Sequence, residues 1–186
     1  MTAPQRRPGG DEQEILRAIW SYCRGIDRCD EDLLRSAYHD DAYDDHGDYF
    51  RGPVDEYVPW VLELVRRRFV STMHTITNVL VDLDGDAARV ESYLVAYHVV
   101  APTTSDPAAD EVTTDAPGAS LRVFGARYVD RFEWRPAAGW RIAHRSVVAE
   151  WQTEHRGQFV GLPPGMATAA RNRTDLSYAD PASAGR

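Results

Sequence analysis

A chain of 186 residues, 43% of them hydrophobic, is long enough to bury a core or a small cavity within one domain. Its formal charge of −8, from 29 acidic against 21 basic residues, repels phosphate backbones and anionic lipid, which argues against nucleic-acid and membrane-surface partners. No apolar run approaches the roughly 20 residues of a membrane span, the N-terminus lacks the apolar region of a signal peptide, and Cys23 and Cys29 alone make no disulfide framework, so a cytoplasmic location is expected.

Residues 1–10 are rich in Pro, Gly and charge and read as a disordered tail, and 161–186 as an extended C-terminal tail, around one domain at 11–160. Over 11–27, Ile15, Leu16, Ile19, Trp20, Cys23 and Ile26 recur at helical spacing behind an acidic first turn. A shorter helix is predicted over about 30–38 with Asp30 as its N-cap. The polar stretch "YHDDAYDDHGDYFRGP" reads as turn-rich, with at most a short strand at Ala42–Asp44, and a third helix follows over about 53–69. Strands are then predicted at about 73–83, 87–100, 119–134 and 139–151, with a tight turn at "DGD" (84–86) and another at "RPAAG" (135–139). Between the second and third strands, 101–118 is a long polar loop of the kind that can serve as a lid.

Helices first and an antiparallel meander after them indicate an α+β domain. Three helices laid over a strongly curved sheet would leave a pocket between them, and the polar residues that can face it are the candidates for chemistry. Asp27 closes the first helix at one edge of its apolar arc and Tyr22 lies near the other edge. Asp27 is either an inward carboxylate or an exposed one paired with Arg28. His74 shares one strand face with Ile76, Asn78 and Leu80; a strand histidine is either structural or, with a carboxylate on its second nitrogen, a base. Arg145 interrupts the apolar row Ala143, Val147, Ala149, Trp151, where a guanidinium can hold an anion or form a cross-strand pair with Glu91 or Asp130. Tyr22, Tyr43, Tyr49, Trp60, Tyr93, Tyr97 and Trp151 are candidate walls. His39, Asp40, Asp44 and His46 invite a metal reading, but they lack metal-site spacing, and a solvated acidic loop with His46 near the pocket mouth is the preferred alternative. No phosphate or dinucleotide fingerprint is present.

The pieces "GID", "DDHG", "DGDAARVESY", "RYVDRFE" and "WRIAHR", spread over about residues 11–155, resemble the SnoaL-like branch of the nuclear transport factor two-like superfamily. Within it the chain is most similar to hexachlorocyclohexane dehydrochlorinase, bile-acid dehydratase and scytalone dehydratase. The resemblance implies a cone-shaped α+β barrel, a curved antiparallel sheet covered by N-terminal helices and enclosing a pocket, often in a trimer or dimer, with no cofactor. It implies an Asp27–His74 dyad as general base, Arg145 assisting the leaving group, Tyr22 as the bile-acid enzyme's tyrosine, and His98 as the one candidate for a second strand histidine. Trp60, Tyr43, Tyr49, Asn78, Tyr93 and Trp151 would then bind the substrate, and no metal is implied. The function expected is a cofactor-independent lyase, dehydratase or dehydrohalogenase, acting on a small hydrophobic cyclic molecule. An isomerase or cyclase of secondary metabolism using the same dyad, or a non-catalytic small-molecule binder, is the alternative.

Overall fold

Asp11–Arg28 forms α1; of the residues its spacing singled out, Ile15, Ile19, Cys23 and Ile26 are buried, Leu16 is half-buried and Trp20 is exposed. The helix stops where Cys29 adopts the left-handed conformation, φ 49°, and donates its N–H to the carbonyl of Ile26. Asp30 then caps α2 (Glu31–Ser36), its carboxylate accepting from the N–H of Leu33 at 3.2 Å. The chain doubles back this tightly because position 25 is glycine: a Cβ there would stand 2.7 Å from the backbone nitrogen of Leu34.

The protein was analysed as a computed structural model that describes residues 9–100, 119–156 and 163–179. The expected loop at 101–118, most of the N-terminal tail and the last residues of the C-terminal tail lie outside the described residues. After α2 come β1 (Tyr38–Asp45), β2 (Arg51–Pro53), α3 (Val54–Arg68), β3 (Phe69–Asp84), β4 (Ala87–Val100), β5 (Ser120–Arg135) and β6 (Gly139–Arg156). They form one six-stranded sheet in the order β2-β1-β6-β5-β4-β3. The fold is α+β, with the β3–β6 meander antiparallel as the turn spacing predicts.

Two features depart from expectation. β1 runs parallel to β6, so the sheet is mixed rather than antiparallel, and it remains open between edges β2 and β3. The stretch read as an acidic loop is itself a strand, with His39 and Asp44 buried in it. In β3 the register with β4 shifts between Thr77 and Leu80, where Asn78 takes φ 48°. This bulge reverses the side-chain phase: Leu80 turns out to solvent while Val79 and Val81 pack against the core.

Within the C-terminal tail, 163–179 lies across α1 and α2. Arg173 pairs with Asp30 and Asp32, the Tyr178 hydroxyl donates to Asp30 at 2.8 Å, and Arg28 pairs with Asp175. Arg24 sits over the Tyr178 ring, so both arginines flanking Asp27 are turned toward this strap. No helix among the described residues is long and apolar enough to cross a membrane.

Candidate active site

Between the helices and the inner face of the sheet lies a cavity of about 170 Å³. Tyr22 and Ile26 reach it from α1, Tyr57 and Trp60 from α3, His74 from β3 and His98 from β4. Most of the remaining lining is aliphatic or aromatic, as a site for an apolar ring requires.

Asp27 meets His74 at its edge. The His74 ring Nδ1 lies 2.7 Å from Asp27 Oδ1, and the His74 backbone N–H donates to Oδ2 at 3.0 Å. The Thr72 hydroxyl adds a third bond to Oδ1 at 2.9 Å. Burial alone would raise the carboxyl's pKa, but the hydrogen bonds and charge of His74, with Thr72, outweigh it and hold the group below the usual range. An ionised Asp27 only accepts, so Nδ1 carries a hydrogen, and in the neutral ring it is Nε2 that keeps the lone pair. That nitrogen has no hydrogen-bond partner among the described residues. Asp27 and His74 also border a shallower groove between α1 and β3, beside Trp20, Arg24 and Arg28. The Arg28 side chain donates to the Asp27 backbone carbonyl at 3.5 Å and pairs with Asp175 rather than with the Asp27 carboxylate.

His98 stands edge-on to His74 with ring centroids 5.6 Å apart, and tilted against Phe69 at 4.5 Å. Burial, with the neighbouring His74 second, pushes its pKa down to about 4. The sign follows directly: as pH falls from about 6.5 the unfolded chain takes up this proton first, while the folded chain takes it only near 4. Folding stability at this group is therefore full above about 6.5 and drains by about 3 kcal/mol on the way down to 4. Chemical denaturation across that range should show the slope in the wild type and a markedly flatter one in His98→Leu; parallel curves would refute the burial argument.

Tyr22 and Tyr57 bring their hydroxyls within 2.6 Å of each other. Only one proton lies between the two oxygens, which leaves the other hydroxyl proton available to a further acceptor. Burial, partly opposed by Arg145, pushes Tyr22 up to about 12, so its hydroxyl remains a donor at neutral pH.

Arg145 does not line the cavity. It is fully buried and makes two bonds to Asp130, Nε to Oδ1 at 2.8 Å and Nη2 to Oδ2 at 2.6 Å, which is the cross-strand pairing weighed from sequence. Its guanidinium carbon lies 4.2 and 3.9 Å from the ring centroids of Tyr22 and Tyr128, so the cation stands behind the tyrosine wall. Of the expected walls, Trp60 lines the cavity and Tyr49 lies at its exposed rim. Tyr93 and Tyr97 alternate with Leu94, Ala96 and His98 and so face away. Trp151 covers Gly125 on that outer face, Tyr43 stacks on His144, and Asn78 sits in the exposed bulge.

Thr72 had no clear sequence signal, whereas His46 was expected near the pocket mouth and does line the cavity. Thr72 lies two residues before His74, and only the paired strand shows that both address Asp27. Asp44, buried in β1, bonds both the Tyr38 hydroxyl at 2.6 Å and the His46 ring, and His46 lines the cavity stacked on Tyr57 at 5.1 Å. His39 instead bonds the Glu133 carbonyl at 2.8 Å. Among the described residues, no three His, Cys, Asp or Glu side chains converge as a metal site.

Residues 10–146 match the family model described as SnoaL-like domain. A putative scytalone dehydratase from Novosphingobium aromaticivorans superposes with TM-score 0.63 at 19% identity, covering 87% of this chain and 97% of its own. Hexachlorocyclohexane dehydrochlorinase LinA-type3 from Novosphingobium barchaimii gives 0.68 at 16%, covering 84% and 97%. A nuclear transport factor 2-like superfamily protein from Salmonella enterica gives 0.60 at 16%, covering 86% and 100%. At these identities the structural likeness establishes the fold. Among curated proteins, no sequence matches.

Proposed function

The chain belongs to the SnoaL-like domain family, and from that membership and the geometry of its cavity we propose that it is a cofactor-independent lyase acting on a small hydrophobic cyclic molecule. The observation that carries this reading is the Asp27–His74 hydrogen bond of 2.7 Å at the wall of an aromatic cavity. His74 Nε2 removes a proton from the carbon beside a carbonyl, and Asp27 steadies the imidazolium that results. The hydroxyl proton left over from the Tyr22–Tyr57 pair meets the carbonyl oxygen as it gains charge. Arg145, held by Asp130 behind the rings, keeps Tyr22 in place rather than touching the substrate. The relatives named as a dehydratase and a dehydrochlorinase support an elimination over other uses of such a base.

A panel of cyclic hydroxy- and halo-ketones tests the proposal, since elimination creates a conjugated enone that absorbs in the ultraviolet. His74→Gln should retain its circular dichroism spectrum and lose at least about 100-fold in rate on every compound the wild type converts. A variant as active as the wild type would remove His74 from the reaction.

A further inference from the structure

The groove between α1 and β3 gives the Asp27–His74 pair a second side, away from the cavity. Trp20, Arg24, Asp27 and Arg28 stand at positions i, i+4, i+7 and i+8, one stripe along α1, and all four border this groove with His74 and Ile76. Two cations therefore share a helix face with the carboxylate that serves His74. Arg24 lies three residues before Asp27, a spacing at which helical side chains meet in ion pairs. Neither guanidinium bonds that carboxylate. Its hydrogen bonds come from Thr72 and His74.

Both arginines are drawn off by the strap. Arg24 donates through Nη2 to the Ser177 carbonyl at 2.9 Å, and its guanidinium lies 4.4 Å over the Tyr178 ring. Arg28 Nε stands 3.2 Å from Asp175 Oδ2, near enough for an ion pair, yet this buried N–H makes no hydrogen bond. A group held by charge alone can exchange one carboxylate for another. Asp175 itself is fixed, accepting from the Ala170 N–H at 2.9 Å, the Ser177 N–H at 3.0 Å and the Ser177 hydroxyl at 2.6 Å. Arg173 and Tyr178 fasten the same turn to Asp30 at the head of α2.

We infer that the strap is a positioning element for the Asp27–His74 pair: Asp175, Ser177 and Tyr178 hold Arg28 and Arg24 off Asp27 and so leave its charge to the imidazole. The inference rests on reading that pair as the base. Once the strap is released, Arg24, one turn away, and Arg28, already 3.5 Å from the Asp27 backbone carbonyl, close on the carboxylate. A guanidinium there competes with His74 for an oxygen and loosens the ring. Its charge also disfavours the imidazolium that forms when His74 takes a proton. The base is weakened although no residue of the cavity has changed. Asp175, Ser177 and Tyr178 do not line that cavity, so they act through the arginines alone.

Replacing Arg173→Gln, Asp175→Asn and Tyr178→Leu together in the full-length chain unfastens the strap without altering α1, β3 or the cavity. The ring Hε1 resonance of His74, followed against pH with no substrate present, should then titrate about one pH unit lower than in the wild type. Adding Arg24→Gln and Arg28→Gln should reverse that fall, whereas the same two changes in the fastened protein should move the midpoint much less. Cys23 and His98, the other titratable groups beside the pair, are the same in every variant. An unmoved midpoint on unfastening overturns the inference, as do equal effects of the arginine changes in both backgrounds. A fall that arginine removal does not reverse overturns it too, and assigns the effect to Arg171, which ties the strap to the Phe69 carbonyl at the start of β3. Asp175→Asn alone frees only Arg28 and keeps the contacts with α2, so it repeats the test should the triple variant unfold; it should give a smaller fall, and no fall overturns the inference. Turnover is read separately. A fully active His74→Gln defeats the base assignment, while the titration still judges the strap.

Discussion

Arg145→Met should lower the unfolding free energy by about 3–5 kcal/mol, because it leaves the Asp130 carboxylate buried with no counter-charge. The size follows from geometry: both side chains are fully enclosed, both carboxylate oxygens are engaged, and the guanidinium also rests against two tyrosine rings. Asp130→Asn should cost a similar amount by stranding the guanidinium instead. The double replacement Arg145→Met with Asp130→Leu should cost far less than the two single changes together, since apolar groups of similar volume remove the burial penalty as well as the attraction. Urea denaturation of the four proteins measures this directly, and additive effects in the double variant would contradict a buried, mutually dependent pair. Turnover separates stability from chemistry. Arg145 stands behind Tyr22, so Arg145→Lys should weaken oxyanion stabilisation through a displaced tyrosine, lowering kcat more than it changes KM.

This pair also shows where the sequence was legible. Strand alternation put Arg145 in an apolar row, and Asp130 was one of two partners in reach; the β5–β6 register decided between them. Helical phase made Asp27 eligible to face inward, and alternation along β4 brings His98 to the same side as Leu94 and Ala96. Phase fails where the backbone breaks it. The bulge at Asn78 ends the face that begins with His74, so Asn78 and Leu80 do not follow Ile76 toward the core. Composition misleads in a different way at β1. "YHDDAYDD" looks solvated because its polar residues are counted singly, whereas in the fold they satisfy one another: Tyr38 and His46 on Asp44, His39 on the Glu133 carbonyl. A buried polar network leaves no hydrophobic pattern, and its parallel partner β6 lies about a hundred residues away in sequence. The C-terminal strap was hidden for the same reason, since Arg173 and Tyr178 are anchored by Asp30 rather than by an apolar face.

Asp27→Asn is expected to cost the proposed reaction about 100- to 10,000-fold in kcat with little change in KM, although it alters no atom that touches the substrate. Asp27 accepts three bonds, from the Thr72 hydroxyl, the His74 backbone N–H and the His74 ring. An asparagine keeps one accepting oxygen, and the fixed backbone N–H of His74 claims it. The amide N–H₂ then points at the His74 ring and Thr72, which can accept instead of donate. His74 Nδ1 becomes an acceptor, its hydrogen moves to Nε2, and the nitrogen that faces the cavity has no lone pair for a substrate proton. The defect is thus one of tautomer, and nitrogen-15 spectra of the histidine side chains can read it without any substrate. In the wild type the His74 signal should be that of an Nδ1–H imidazole, and in Asp27→Asn that of an Nε2–H imidazole. Thr72→Val provides the contrast, because it removes one bond to Asp27 but leaves the carboxylate to hold the ring hydrogen; its loss should stay near tenfold. An Asp27→Asn variant that lost activity with the His74 tautomer unchanged would mean that the carboxylate works by its charge alone, not by setting the base.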